Sequence, residues 1–281
     1  MEIIKDKEFG GERPLFAKHG LKLENVTIHA GESALKECSD IVAVKCRFEG
    51  KYPFWHVDNF TIEDCLFTEG ARAALWYSRN LKMINTLVEA PKMFRELYGI
   101  ELENINLPNA LETLWHCGQI KIKDVSTRHA DYIFMHCKDI EIERYRQEGN
   151  YSFQYCENVE IKDSVIFSKD AFWDTKNVTI KDSEITGEYL GWYSENLHLI
   201  NCKISGTQPL CYCKGLILEN CEFAPDCDLA FEGSEVDAEV KSKITSVKNP
   251  TTGRIRALDY GEIIIDDNIK KPADCKIEII K

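Results

Sequence analysis

Glu96, His116 and His136 follow one another at intervals of 20 residues. One carboxylate and two imidazoles are the groups of a general acid–base pair or of a metal site. Metal ligation would further require the three to converge on one ion, with a place left for water. One residue ahead of each chemistry-bearing position lies a second set: Lys36, Trp55, Trp76, Arg95 and Trp115. All five tryptophans of the chain fall at this position, Trp173 and Trp192 being the other two. Indole rings with cations beside them suit a sugar carrying carboxylate or sulfate. Sugar rings stack on indole, and Arg grips a carboxylate through two parallel N–H bonds. His56, next to Trp55, and Arg72, just ahead of Trp76, complete the candidate ligand-binding set.

The elements that carry these residues repeat. Segments of one type start at Glu2, Leu21, Ile41, Phe60, Leu81, Ile100, Ile120, Ile140, Val159, Val178, Leu197, Leu216 and Val236, in steps of 19 to 21 residues. A fixed period of this length marks a solenoid, in which equivalent residues stack into columns. Positions one and three of each segment are apolar, as in Ile120 and Ile122, the alternation of a strand with one buried face. Position five is usually Asn or Asp, as in Asn25, Asp64, Asn85, Asn104 and Asn201, which tolerate left-handed backbone and suit a bend. A second set of bends precedes each start, among them Asp40, Asn59, Asn80, Asn177 and Asn196. No helical period of useful length is present. The pattern predicts an all-β fold: a single-stranded, right-handed parallel β-helix of about 12 coils. The right hand follows from the strong preference of parallel crossovers. One domain is expected over 1–281, with an N-terminal coil at 1–20, regular coils at 21–235, and final strands plus a cap at 236–281. Lys248–Gly253 reads as a turn between those final strands.

Alternation alone would turn the tryptophans inward with Lys36, Arg95 and Gln154, a costly burial. It would also expose the column before them, which is Leu or Phe in most coils (Leu35, Phe54, Leu75, Phe94, Leu114, Phe134, Phe153, Phe172). A bend between this Phe column and the Cys column (Cys38, Cys117, Cys137, Cys156, Cys213) removes both problems. Phe and Cys then face in, and Trp with its polar neighbour faces out.

Composition narrows the function classes. With 47 acidic against 35 basic residues the net charge is −12, which speaks against nucleic acid and anionic membranes as partners. The start, Met1-Glu2-Ile3-Ile4-Lys5-Asp6, has no signal-peptide pattern and no apolar run reaches membrane-spanning length, so a cytoplasmic protein is expected. Nine of the 12 cysteines fall in two inward columns, as small core residues rather than a disulfide framework. No zinc-type Cys pair, cluster of three aspartates or Gly-rich phosphate loop is present, and neither a cofactor nor a resident metal is expected.

Several strings resemble those of a family of uncharacterised, mostly bacterial proteins of the pectin-lyase-like right-handed β-helix superfamily. They include Gly11-Glu12-Arg13-Pro14-Leu15-Phe16, Gly31-Glu32-Ser33-Ala34-Leu35-Lys36, Lys51-Tyr52-Pro53-Phe54-Trp55-His56, Ala71–Ser78, Glu112–Trp115, Gly187–Trp192 and Val247–Pro250. The resemblance spans nearly the whole chain and implies the fold but no reaction. Three functions stay open. The first is binding or processing of a saccharide on the Trp/Arg/His face, with Glu96, His116 and His136 supplying chemistry. The second is a non-enzymatic scaffold docking a protein or a second copy of the chain as a homo-oligomer. The third is a metal-dependent enzyme at Glu96, His116 and His136.

Overall fold

Strand pairing follows the repeat residue by residue. In a computed structural model describing residues 1–270 and 274–280, the chain is an all-β parallel solenoid of about 14 turns, more than the 12 coils read from the sequence. It divides into two units, Met1–Arg146 and Gln147–Lys281. In the first unit Glu2 pairs with Leu21, Leu21 with Ile41, Ile41 with Phe60, Phe60 with Leu81, Leu81 with Ile100, and Ile100 with Ile120. In the second, Val159 pairs with Val178, Val178 with Leu197, and Leu216 with Val236. These are the segment starts expected from the period. Among the described residues there is no α-helix, and no helix long and apolar enough to cross a membrane.

The bends fall where Asn and Asp stand. Asn25, Asp64, Asn85, Asn104, Asp124, Asp163, Asp182, Asn201 and Asn220 all take positive φ between 47° and 55°. So do Asp40, Asn59, Asn80, Asp139, Asn158, Asn177 and Asn196 of the second bend, at 54° to 57°. Their side chains bond along the stack. Asn201 Nδ2 donates to Asp182 Oδ1 at 2.8 Å, and Asn220 Nδ2 to Asn201 Oδ1 at 2.6 Å. Asn80 donates to Asn59 at 2.8 Å. One residue type thus supplies both the left-handed turn and the tie to the next coil.

Two departures from regularity have visible causes. The single 21-residue step, from Phe60 to Leu81, accommodates a 3₁₀ turn at Glu69–Ala71. Beyond Val236 the period contracts: strand Glu235–Lys248 pairs with Thr252–Ile264, Glu235 lying opposite Thr252, 17 residues on. The expected turn is confined to residues 249–251 between these strands. Lys276–Ile279 then pairs with Arg254–Ala257, leaving Leu258, Ile263 and Ile265 exposed.

The nine cysteines of the two columns are buried, as the column reading requires; Cys211 and Cys227 are buried too, and Cys275 is partly exposed. Burial pushes the Cys213 thiol up to about 12.

Candidate functional site

In the first unit the chain presents two adjacent outer columns. The Phe/Leu column (Leu35, Phe54, Leu75, Phe94, Leu114, Phe134) and the Cys column are buried. Between them Lys36, Trp55, Trp76, Arg95, Trp115 and Met135 are half-buried, while Glu37, His56, Tyr77, Glu96, His116 and His136 are exposed. Left-handed residues produce this pattern. From Leu75 on, each member of the tryptophan column is bracketed by positive φ on both sides: Leu75 and Tyr77, Phe94 and Glu96, Leu114 and His116, Phe134 and His136. In all six coils the next residue is left-handed (Glu37, His56, Tyr77, Glu96, His116, His136), and this bend breaks the plain alternation of side-chain direction.

The tryptophan column is filled by its own members. Arg95 lies between two indoles, its Cζ 4.6 Å from the Trp76 ring centre and 4.5 Å from that of Trp115. Lys36 Nζ stands 5.1 Å over Trp55. Tyr52 packs on Trp55 at 4.8 Å and on Trp76 at 5.8 Å. Each of these three indoles thus carries a cation or a neighbouring ring on it, which leaves less open ring face for a sugar. Backbone bonds hold the rings there: Trp76 Nε1 donates to the Lys92 carbonyl at 3.0 Å and Trp115 Nε1 to that of Tyr132 at 2.6 Å. Trp55 Nε1 is the exception, buried without an acceptor. It precedes the lengthened coil, which carries the 3₁₀ turn Glu69–Ala71. Arg95 Nε is likewise buried without a partner, and the Arg95 fork reaches only the edge of Glu112, at 3.9 Å. Lys92 makes the closer contact with that carboxylate, at 2.9 Å. Arg72 is exposed at the end of the 3₁₀ turn and makes no ion pair among the described residues.

Glu96, His116 and His136 do not form a metal-binding group. His116 and His136 stack face to face, centroids 5.0 Å apart and planes within 5°. Parallel imidazoles aim their nitrogens side by side rather than at one point. Partial burial, and then the neighbouring His116, hold the His136 pKa below the usual imidazole value, so the His136 ring favours its neutral form. Among the described residues no group of three His, Cys, Asp or Glu side chains stands as a metal ion requires. The metal reading of Glu96, His116 and His136 is therefore not carried by the geometry. His56 pairs instead with Glu37, Nδ1 to Oε1 at 3.3 Å, and packs edge-on against Tyr77 at 5.5 Å.

The second unit repeats the theme with stacked aromatic pairs. Trp173 and Trp192 stack at 5.5 Å, and Tyr193 and Tyr212 at 5.1 Å. Trp192 Nε1 donates to the Gln208 carbonyl at 2.8 Å. Further on, the column turns inward: Cys211 and Phe231 are fully buried. There the long strand Glu235–Lys248 continues over the corner, Val247 bridging to Ala230 and Lys248 pairing with Glu232 at 3.1 Å.

Two surface grooves lie away from these columns, each of about 500 Å³. One is lined by Asn85, Asn104, Asn106, Ser126, Asp124 and Arg144 among others, with Arg144 clamped on Asp124 at 2.6 and 2.9 Å. The other follows a corner of stacked glycines, Gly11, Gly31, Gly50 and Gly70, flanked by Glu12, Glu32 and Glu49. A Cβ built on Gly31 would meet the Gly11 carbonyl oxygen at 2.0 Å, so the glycines are there to let coils approach. Reading the sequence by columns could have found this corner, since the four glycines recur at 19 or 20 residues.

Among solved structures, the chain is similar to full-length QnrB1, a plasmid-mediated fluoroquinolone resistance protein, at 10% identity and TM-score 0.29, covering 70% of this chain and 93% of that one. It is also similar to HetL, a pentapeptide-repeat protein involved in heterocyst differentiation regulation from the cyanobacterium Nostoc sp. strain PCC 7120, at 10% identity and TM-score 0.27, covering 83% and 88%. A third likeness is to the catalytic domain of a GH87 α-1,3-glucanase in complex with tetrasaccharides, at 9% identity and TM-score 0.22, covering all of this chain and 61% of that one. No curated protein matches. The sequence itself matches a family over residues 2–278, and the chain belongs to that family, described as "Protein of unknown function (DUF3737)".

Proposed function

We propose that the chain is a non-enzymatic interaction scaffold whose working surface is the pair of outer columns. One observation carries this reading: the indole faces are occupied by Arg95, Lys36 and neighbouring rings, while the exposed column beside them offers His and Tyr edges, Tyr77 at 46% exposure. Tyr, Trp and Arg on a rigid strand are the residue types that anchor protein interfaces. A saccharide platform needs open ring faces, whereas cations and a tyrosine lie on these indoles. A metal site needs convergent ligands, and none is grouped so among the described residues.

A calorimetric titration with galacturonic-acid oligomers separates the scaffold from the saccharide reading. The expected result is no saturable heat. Saturable binding that disappears in Arg95→Gln would replace the scaffold with an anionic-saccharide receptor. Self-association measured by sedimentation velocity supplies the positive arm: Tyr77→Ser, which removes an exposed ring without touching the core, is expected to weaken it.

A further inference from the structure

We infer that the partner for the outer columns of the first unit is a second copy of the chain, related by a two-fold axis parallel to the direction in which the coils stack. This rests on the scaffold reading and adds to it the occupant and its orientation.

The inference comes from the order of charges in the two columns. At the level of one coil Lys36 stands beside Glu37, and at another Arg95 stands beside Glu96. Between and beyond them the pairs are Trp55 with His56, Trp76 with Tyr77, and Trp115 with His116. The first member of each pair is half-buried and the second exposed. A two-fold axis running along the stack keeps every coil at its own height and exchanges the two columns. Lys36 then faces Glu37 of the second copy, and Arg95 faces its Glu96, each contact occurring twice by symmetry. The aromatic levels come together as Trp against His or Tyr. An axis running across the face would instead set like column against like column and reverse the coil order. That would bring Lys36 towards the level of Arg95 and Glu37 towards that of Glu96, cation on cation and acid on acid. Only the parallel arrangement is complementary at both charged levels.

The groups needed are available. Lys36 makes no ion pair among the described residues, its one contact being the Trp55 ring. Glu96 has no side-chain partner among the described residues. Arg95 keeps 24% of its side chain exposed and reaches Glu112 only at 3.9 Å. Glu37 is tied only to exposed His56, at 3.3 Å. From Lys36 to Trp115 the strip spans four coil spacings, about 19 Å. A strip of that length is smaller than the roughly 800 Å² per partner of a standard interface, which places the dimer in the weak, concentration-dependent class.

The test is sedimentation velocity on the full chain over a concentration series, with circular dichroism on every variant to verify folding. The wild type is expected to shift reversibly from monomer to dimer, and added salt to reverse the shift. Glu37→Lys is expected to raise the dissociation constant roughly tenfold or more, because both symmetric contacts become cation against cation. Combining Glu37→Lys with Lys36→Glu exchanges the two charges. The double variant is expected to associate again, since acid faces cation at both symmetric contacts once more. A wild type that stays monomeric overturns the inference. So does a dimer indifferent to Glu37→Lys, or one not recovered in the double variant. A dimer weakened by Tyr77→Ser yet indifferent to Glu37→Lys would overturn this geometry alone and leave the scaffold reading standing.

Discussion

Replacing Gly31 by Ala tests whether close coil approach, rather than backbone conformation, explains the glycine corner. The added Cβ would sit 2.0 Å from the Gly11 carbonyl oxygen, whereas real Cβ contacts stay beyond 3.0 Å. One coil must therefore move by about 1 Å. Three interstrand bonds lie within that reach: Arg13 N to Glu32 O, Lys51 N to Gly31 O and Ser33 N to Lys51 O, all at 2.9 Å. At about 1 kcal/mol each, their loss costs roughly 3 kcal/mol. Gly20 is the control: it takes φ +64° and an added Cβ meets nothing within 4 Å. Gly20→Ala then costs only the left-handed penalty, about 1 kcal/mol. The unfolded chain loses similar entropy in both variants, so that contribution cancels. Urea titration followed by circular dichroism should separate the two by about 2 kcal/mol, the difference between these costs. Amide exchange at Lys51 and Ser33 should accelerate only in Gly31→Ala. Equal destabilisation, within the roughly 0.5 kcal/mol scatter of ordinary surface substitutions, would refute the steric account.

Trp192→Phe should cost about 1 kcal/mol more than Trp55→Phe in the same assay, since only Trp192 forfeits a bond, to the Gln208 carbonyl. The His29 pKa is raised by its hydrogen bonds to Glu8 and then to Glu49. That stabilisation is complete below the unfolded value near 6.5 and is lost as pH rises through the raised folded value. His29→Gln should flatten that part of a pH–stability curve. His136, shifted the other way, should lower stability as pH falls from 6.5 through its folded value, and His136→Gln should remove that loss. Under native conditions a thiol reagent should label Cys275 first. The eleven buried thiols should react only on unfolding, and a second fast thiol among the nine in the two columns would contradict the column assignment.

The fold was readable because one residue type does two jobs. Asn and Asp mark the left-handed bends, and their spacing is the coil length, so the spacing alone aligns Leu21, Ile41 and Phe60. The C-terminal part was less readable because strand Glu235–Lys248 runs through the position where a bend would have marked the coil. The outward direction of the tryptophans followed from the cost of burying Lys36 and Arg95. Their mutual stacking did not. It depends on rotamers and on carbonyls of the following coil, such as those of Lys92 and Tyr132, which no single position in the sequence displays. The stacked His116 and His136 illustrate the same limit: a 20-residue interval brings two imidazoles together, but only the ring planes decide whether they can share an ion.

The uniform pairing distance has a kinetic consequence. Paired residues through most of the chain lie about 20 positions apart, as Glu2 and Leu21 do, in a sequence of 281. The corresponding relative contact order is about 0.07, in the range of helical bundles rather than of β-sandwiches. Each coil needs only the one before it as a template. A growing chain can therefore add finished coils as they leave the ribosome, without waiting for distant strands to meet.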